Sequence, residues 1–132
     1  YKKKLNLSVP SIAIKDLKNK LSSIADKFYD YPSKKLSIIG ITGTNGKTTS
    51  AYWLTQCLNH LRSKTAFIGT LGYGEAEDFK KTENTTPSAI DVQYVIKDLY
   101  KKKYKNIAME VSSHGINENR IQLPANCFYF LD

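Results

Sequence analysis

Between residues 36 and 61 the chain passes from an apolar run, Leu36-Ser37-Ile38-Ile39-Gly40-Ile41, through Thr42-Gly43-Thr44-Asn45-Gly46-Lys47-Thr48-Thr49, into an amphipathic segment over 51–61. That order is a strand, a glycine turn and a helix start. A turn of this kind aims successive backbone N–H groups and the positive end of the helix dipole at one point, which suits a phosphate. Lys47 stands where it reaches the outer phosphates, and a hydroxyl of Thr48 or Thr49 can hold Mg²⁺. The spacing is a variant form, Gly43-x-x-Gly46-Lys47-Thr48, because Ile41 occupies the position five before Gly46 where the strict pattern has glycine. The expected ligand is a nucleoside triphosphate; the plainer alternative is a strand-to-helix turn with an incidental lysine.

A chain of 132 residues suits one domain with a two-layer core. Its first residue is Tyr1, and its last stretch, 127–131, reads as a strand with nothing after it, so both ends look cut from something longer. The formal charge of +8 invites a nucleic-acid reading. However, the basic residues are Lys apart from Arg62 and Arg120, and they are spread along the chain, whereas phosphate-gripping and base-reading surfaces lean on arginine. A solvated lysine-rich surface is expected, and no nucleic-acid partner. Cys57 and Cys127 have no second cysteine at metal-ligand spacing, which fits a reducing, cytoplasmic setting. No apolar stretch approaches the ~20 residues of a membrane span.

Along the chain, 9–14 alternates weakly as a short strand, and Leu17, Leu21, Ile24, Ala25 and Phe28 make one helical stripe with Asp16 as N-cap. After the phosphate-loop helix, 64–68 reads as a strand. The glycine-rich bend at 69–74 is either a hairpin or a substrate-facing loop, and a polar loop over 75–83 follows. Thr86 as N-cap and Pro87 at the first helical position open a helix whose buried stripe is Val92, Val95, Ile96 and Leu99. Asn84 and Thr85 lie just outside that cap, where a helix N-terminus favours an anion.

The strand at 106–111 delivers Glu110 at its C-terminal end, followed by Ser112-Ser113-His114-Gly115. A carboxylate on an otherwise apolar strand needs a partner. Strand C-termini border the ligand crevice of an α/β sheet, and the phosphate loop leaves its strand at that same edge. Glu110 near Thr48 or Thr49 would complete a Mg²⁺ site of hard oxygen ligands, with a salt bridge to a lysine as the alternative. His114 is read as a packing or substrate-contact residue, because a base adjacent to Ser113 on one extended segment does not reach it as a triad requires.

Three motifs together, Thr42 to Thr49, Asn84-Thr85-Thr86-Pro87 and Met109-Glu110-Val111-Ser112-Ser113-His114-Gly115, in this order and spacing, resemble the central ATP-binding domain of the Mur ligases. The branch that adds the third peptide residue in peptidoglycan synthesis is the most similar. Folylpolyglutamate synthases share the first motif but typically carry Gly-Ser after the lysine. Residues Val9-Pro10 and Phe28-Tyr29-Asp30-Tyr31-Pro32-Ser33 also resemble the segment that enters this domain. The resemblance implies an α/β fold, a P-loop-type mostly parallel sheet with flanking helices, here incomplete. Strands are expected near 36–41, 64–68, 106–111 and 127–131, with 1–35 a lead-in from the N-terminal domain and 36–132 the first part of the central domain.

The resemblance further implies an ATP-dependent amide-bond ligase with ATP and Mg²⁺ as cofactors, and UDP-N-acetylmuramoyl-L-alanyl-D-glutamate and an amino acid as substrates. An acyl phosphate would be the intermediate. Thr42, Gly43, Thr44, Asn45, Gly46, Lys47 and Thr48 would cradle ATP, with Lys47 and Glu110 catalytic and Thr49 with Glu110 on Mg²⁺. Asn84, Thr85, Thr86, Ser112 and Arg120 would hold the UDP-muramoyl-dipeptide. Two departures stand out. Glu118 replaces the glutamine that the family usually carries two residues before the arginine. The chain also stops before the lysine that becomes carbamylated and helps bind a second Mg²⁺, so these 132 residues alone are not expected to ligate. Another P-loop NTPase and a non-catalytic nucleotide-binding remnant are the alternatives.

Overall fold

The apolar runs around 38, 66 and 107 are too short for their periodicity to separate strand from helix, but they become neighbours in one sheet and are buried on both faces, as a parallel sheet clad by helices requires. The structure is a computed structural model that describes residues 8–75, 78–81 and 88–112, and the backbone alone of 128–131. Among these residues the strands are β1 (Ser37–Thr42), β2 (Thr65–Gly69), β3 (Gly72–Glu75), β4 (Asp78–Lys80), β5 (Asn106–Glu110) and β6 (Phe128–Leu131). Their order across the sheet is β4-β3-β2-β5-β1-β6. Strands β2, β5, β1 and β6 run parallel, and β3 and β4 are an antiparallel extension. The expected mostly parallel α/β sheet with flanking helices is therefore present.

The strand period of two divides the core. Ile38, Ile68, Ile107 and Met109 face one way and pack with Val92, Val95, Ile96 and Leu99 of α3 (Ala89–Lys101). Ile41, Phe67 and Ala108 face the other way and pack with Ala51 of α2 (Lys47–His60). The stripe read for α3 is thus its buried face. Asn59 of α2 clamps the start of β2, its Nδ2 donating to the Thr65 carbonyl (2.9 Å) and its Oδ1 accepting from the Thr65 N–H (2.7 Å). No helix among the described residues is long and apolar enough to cross a membrane.

Several expectations are corrected. Residues 9–14 form no strand and are exposed; no described strand lies beside them to complete a ladder. In α1 (Leu17–Phe28), Asp16 does hold the N-cap position, but in a left-handed conformation with no capping bond from its side chain. The buried residues of α1 are Ser22 and Ala25, small enough for close approach to α3, while Leu17, Ile24 and Phe28 are exposed.

Helix α3 is capped by Ser88, not Thr86. The Ser88 hydroxyl accepts from the Asp91 N–H (3.2 Å) and the Asp91 carboxylate accepts from the Ser88 N–H (3.0 Å), a reciprocal box that satisfies two donors at once. Thr86 and Pro87 themselves lie outside the described residues. The glycine-rich bend is a hairpin, with Gly69 opposite Gly72 and a two-residue turn at Thr70-Leu71. The polar segment after it carries β4, paired to β3 with Tyr73 opposite Lys80.

Candidate functional site

Strand β1 ends in Thr42, which is buried, and the chain then turns through Gly43, Thr44, Asn45 and Gly46 into α2. Gly46 occupies the N-cap position at φ 76°, a left-handed conformation that strains any residue with a Cβ. Helix α2 starts at Lys47, so its unpaired N–H groups and dipole face the loop that precedes it. The Lys47 Nζ folds back over this loop and donates to the carbonyls of Gly43 (2.7 Å) and Thr44 (3.2 Å). Those carbonyls are neutral, so the ammonium is an uncompensated cation beside the helix N-terminus, and among the described residues no carboxylate pairs with it.

The parallel register brings a carboxylate to the same edge. Glu110 lies opposite Ile41, and the next residue, Val111, donates its N–H to the Ile41 carbonyl (2.8 Å). On the other flank, Ile68 is opposite Met109, which sets Gly69 beside Glu110. A Cβ at Gly69 would collide with the Glu110 carboxylate, so glycine is what lets the side chain lie across the end of β2. The carboxylate there meets Thr70, whose hydroxyl is 3.1 Å from Oε1 and 3.2 Å from Oε2, and whose N–H donates to Oε1 at 3.3 Å. The Thr70 hydroxyl in turn lies 3.3 Å from that of Thr48 in the first turn of α2. Among the described residues the partner of Glu110 is Thr70, and no lysine is paired with it.

Lys47, Thr48 and Glu110 thus meet at one edge of the sheet. Thr49, the hydroxyl that the family resemblance assigns to the metal, is exposed and makes no hydrogen bond to Glu110 or Thr70. Ser112 follows Val111 past the end of β5 and is exposed. Asn84, Thr85, Thr86 and Arg120, and with them His114 and Glu118, lie outside the described residues.

Among the described residues no group of three or more His, Cys, Asp or Glu side chains could enclose an ion. Mg²⁺ retains water and is held by one or two carboxylates together with substrate phosphates, so one carboxylate with a neighbouring threonine hydroxyl fits it, whereas a fully protein-made cage is not needed. The residue that sequence reasoning passed over is Thr70. Its signal was its position, immediately past the C-terminal end of a parallel strand, where the crevice of an open α/β sheet lies.

An open, mostly parallel sheet whose first strand runs through a glycine turn into a lysine-headed helix, with a carboxylate at the end of the adjacent strand, defines a P-loop-type α/β domain. The family is more specific: the chain belongs to the Mur ligases, since the model of the Mur ligase middle domain matches residues 41–127. It is 45% identical over 114 residues to the UDP-N-acetylmuramoyl-L-alanyl-D-glutamate--2,6-diaminopimelate ligase of Wigglesworthia glossinidia brevipalpis, covering 86% of this chain and 23% of the relative. The enzyme of the same name from Coxiella burnetii is 42% identical over 122 residues, covering 92% and 25%. A solved structure of a ligase with that name superposes with a TM-score of 0.71 at 26% identity, over 92% of this chain and 26% of that one. The chain therefore spans about a quarter of the length of the relatives it matches.

Proposed function

We propose that this chain is the nucleotide-binding portion of an ATP-dependent amide-bond ligase that adds the third amino acid to UDP-N-acetylmuramoyl-L-alanyl-D-glutamate. The observation that carries the reading is the meeting of Lys47, Thr48 and Glu110 at the mouth of the glycine turn, in a chain whose relatives are named for that ligation. The names of those relatives make 2,6-diaminopimelate the first candidate for the amino acid.

In this reading the backbone N–H groups of 43–48 wrap the phosphates of ATP, and Lys47 leaves the Gly43 and Thr44 carbonyls to meet the outer phosphates. Glu110 and a threonine hydroxyl, Thr48 or, by family resemblance, Thr49, would hold Mg²⁺, which would supply charge neutralisation to the phosphoryl group in transit. The substrate carboxylate attacks the γ-phosphorus, ADP leaves, and an acyl phosphate results. The amine of the amino acid then attacks the acyl carbon and expels inorganic phosphate. Asn84, Thr85, Thr86, Ser112 and Arg120 are assigned to the UDP-muramoyl-dipeptide. Positioning and charge stabilisation carry the rate, since no protein nucleophile is required.

Calorimetric titration of Mg²⁺-ATP, then of UDP-N-acetylmuramoyl-dipeptide, into the protein and into Lys47→Ala tests the reading. Nucleotide binding that the substitution abolishes, followed by muramoyl-dipeptide binding, is expected. Nucleotide binding without muramoyl-dipeptide binding would instead favour another P-loop NTPase. A folded protein that binds neither would be a non-catalytic remnant of the fold.

A further inference from the structure

We infer that Thr70 is the positioning residue of the cation site: it locks the Glu110 carboxylate against the start of α2 and sets the hydrogen-bond direction of Thr48 so that both present lone pairs outward. The inference rests on the proposed function in taking a divalent cation with bound phosphate as the occupant. Thr70 belongs to neither the glycine turn nor the strand that carries Glu110, and it reaches the site from the β2–β3 hairpin.

The direction follows from the inventory of donors. An ionised carboxylate only accepts, so the contacts of the Thr70 hydroxyl with Oε1 (3.1 Å) and Oε2 (3.2 Å) must use its one proton. The Thr70 N–H adds a second donor to Oε1 at 3.3 Å. With its proton committed, Thr70 can only accept from Thr48 across the 3.3 Å that separates their hydroxyl oxygens. The Thr48 proton therefore points to Thr70, and its oxygen lone pairs are turned away, free for a hard cation. The remaining lone pairs of Glu110 are free in the same way. A cation between the two groups would find acceptors rather than a competing O–H proton.

The geometry of the hairpin places this alignment. Thr70 is the first residue of a two-residue turn whose ends, Gly69 and Gly72, are paired in the ladder. Its backbone N–H and its hydroxyl both reach the same carboxylate, so the Glu110 side chain is held at two points. A partner that orients a metal-ligating carboxylate typically changes metal affinity by about 10- to 100-fold when removed.

The test is the gain in nucleotide affinity conferred by Mg²⁺ in the full-length protein, measured by calorimetric titration of ATP with Mg²⁺ and with EDTA. Thr70→Val keeps the shape and removes the hydroxyl, and Thr70→Ser keeps the hydroxyl. Thr70→Val is expected to lower the Mg²⁺-dependent gain by about 10-fold or more, with affinity in EDTA unchanged, and Thr70→Ser to restore it. If thermal melting shows Thr70→Val to be unfolded, Thr70→Ala replaces it with the same expectation. A Glu110→Gln variant that loses the gain while Thr70→Val keeps it would overturn the inference and leave the proposed function standing. A wild-type protein whose ATP affinity does not respond to Mg²⁺ would overturn both.

Discussion

Gly69→Ala separates the cost of crowding from the loss of the cation site. An added Cβ would collide with the Glu110 carboxylate and would lie 2.6 Å from Cζ of Phe67. The two neighbours can respond differently. Phe67 is fully buried against Ile41, Ala51 and Ala108, with the Phe79 ring 5.1 Å away, and gives way only at a cost in packing. The Glu110 carboxylate is the far end of a flexible, half-buried side chain, and it can swing off Thr70. Overpacking a core position costs about 1–3 kcal/mol, whereas replacing glycine by alanine at a compatible backbone returns about 0.4–1 kcal/mol through the unfolded chain. The Phe67 contact remains after the carboxylate has moved, so the net loss lies in the upper part of the range these figures span, about 1.5–2.5 kcal/mol, a fall in Tm of roughly 5–10 °C for a domain of this size. The protein stays folded, yet its Mg²⁺-dependent gain in nucleotide affinity should fall as far as in Glu110→Gln. Thermal melting and paired titrations with Mg²⁺ and with EDTA read the two effects separately. Combining Gly69→Ala with Thr70→Val should cost the gain no more than either alone, since both undo one alignment. An unchanged gain in folded Gly69→Ala would refute the reasoning.

Lys47→Ala should abolish most nucleotide affinity without altering Tm by more than a few degrees, since its Nζ bonds are made to carbonyls of the adjacent turn and its side chain is only half-buried; titration beside melting checks both halves. Leu99→Ala, at a position 1% exposed in the α3 cluster, should cost about 2–5 kcal/mol in chemical denaturation, a large part of the stability of an ordinary domain. Burial, helped by its bond to Glu75 (2.9 Å) and the charge of that residue, pushes the Tyr104 phenol up from 10.0 to about 12. The fold therefore favours the neutral phenol. That contribution is complete below pH 10.0 and is lost as pH rises through about 12, so stability falls across this window. Tyr104→Phe should flatten that fall in denaturation midpoints measured from pH 9 to 12, and an equally steep profile would remove Tyr104 as its cause.

What was legible in the sequence is what local chemistry determines alone. The glycine turn, the run of Ile38-Ile39 before it and the 3.6-residue stripe of Val92, Val95, Ile96 and Leu99 each carry their own reason to fold as they do, and each stands where it was expected. Glu110 was legible because an acid among Ile107, Ala108 and Met109 is conspicuous. The misreadings share another origin. Residues 9–14 alternate like a strand, but a strand needs a neighbour, which no period records. Thr86-Pro87 looks like a helix start, yet Ser88 with Asp91 makes two capping bonds. Thr70 was passed over for the same reason. A threonine in a glycine-rich bend has no distinguishing local pattern, and its meaning comes from a sheet order that sets β2 beside β5, forty positions further along the chain. The register decides the outcome: with Ile41 opposite it in β1 and Gly69 beside it at the end of β2, Glu110 has a phosphate loop on one flank and a hairpin hydroxyl on the other. A slip of one residue in either pairing would turn the carboxylate into the core and leave Thr70 and Thr48 with nothing to align. The proposed cation site is therefore a property of the sheet as much as of the motif, and substitutions that disturb the β2–β5 pairing should weaken Mg²⁺-dependent binding even where the glycine turn is intact.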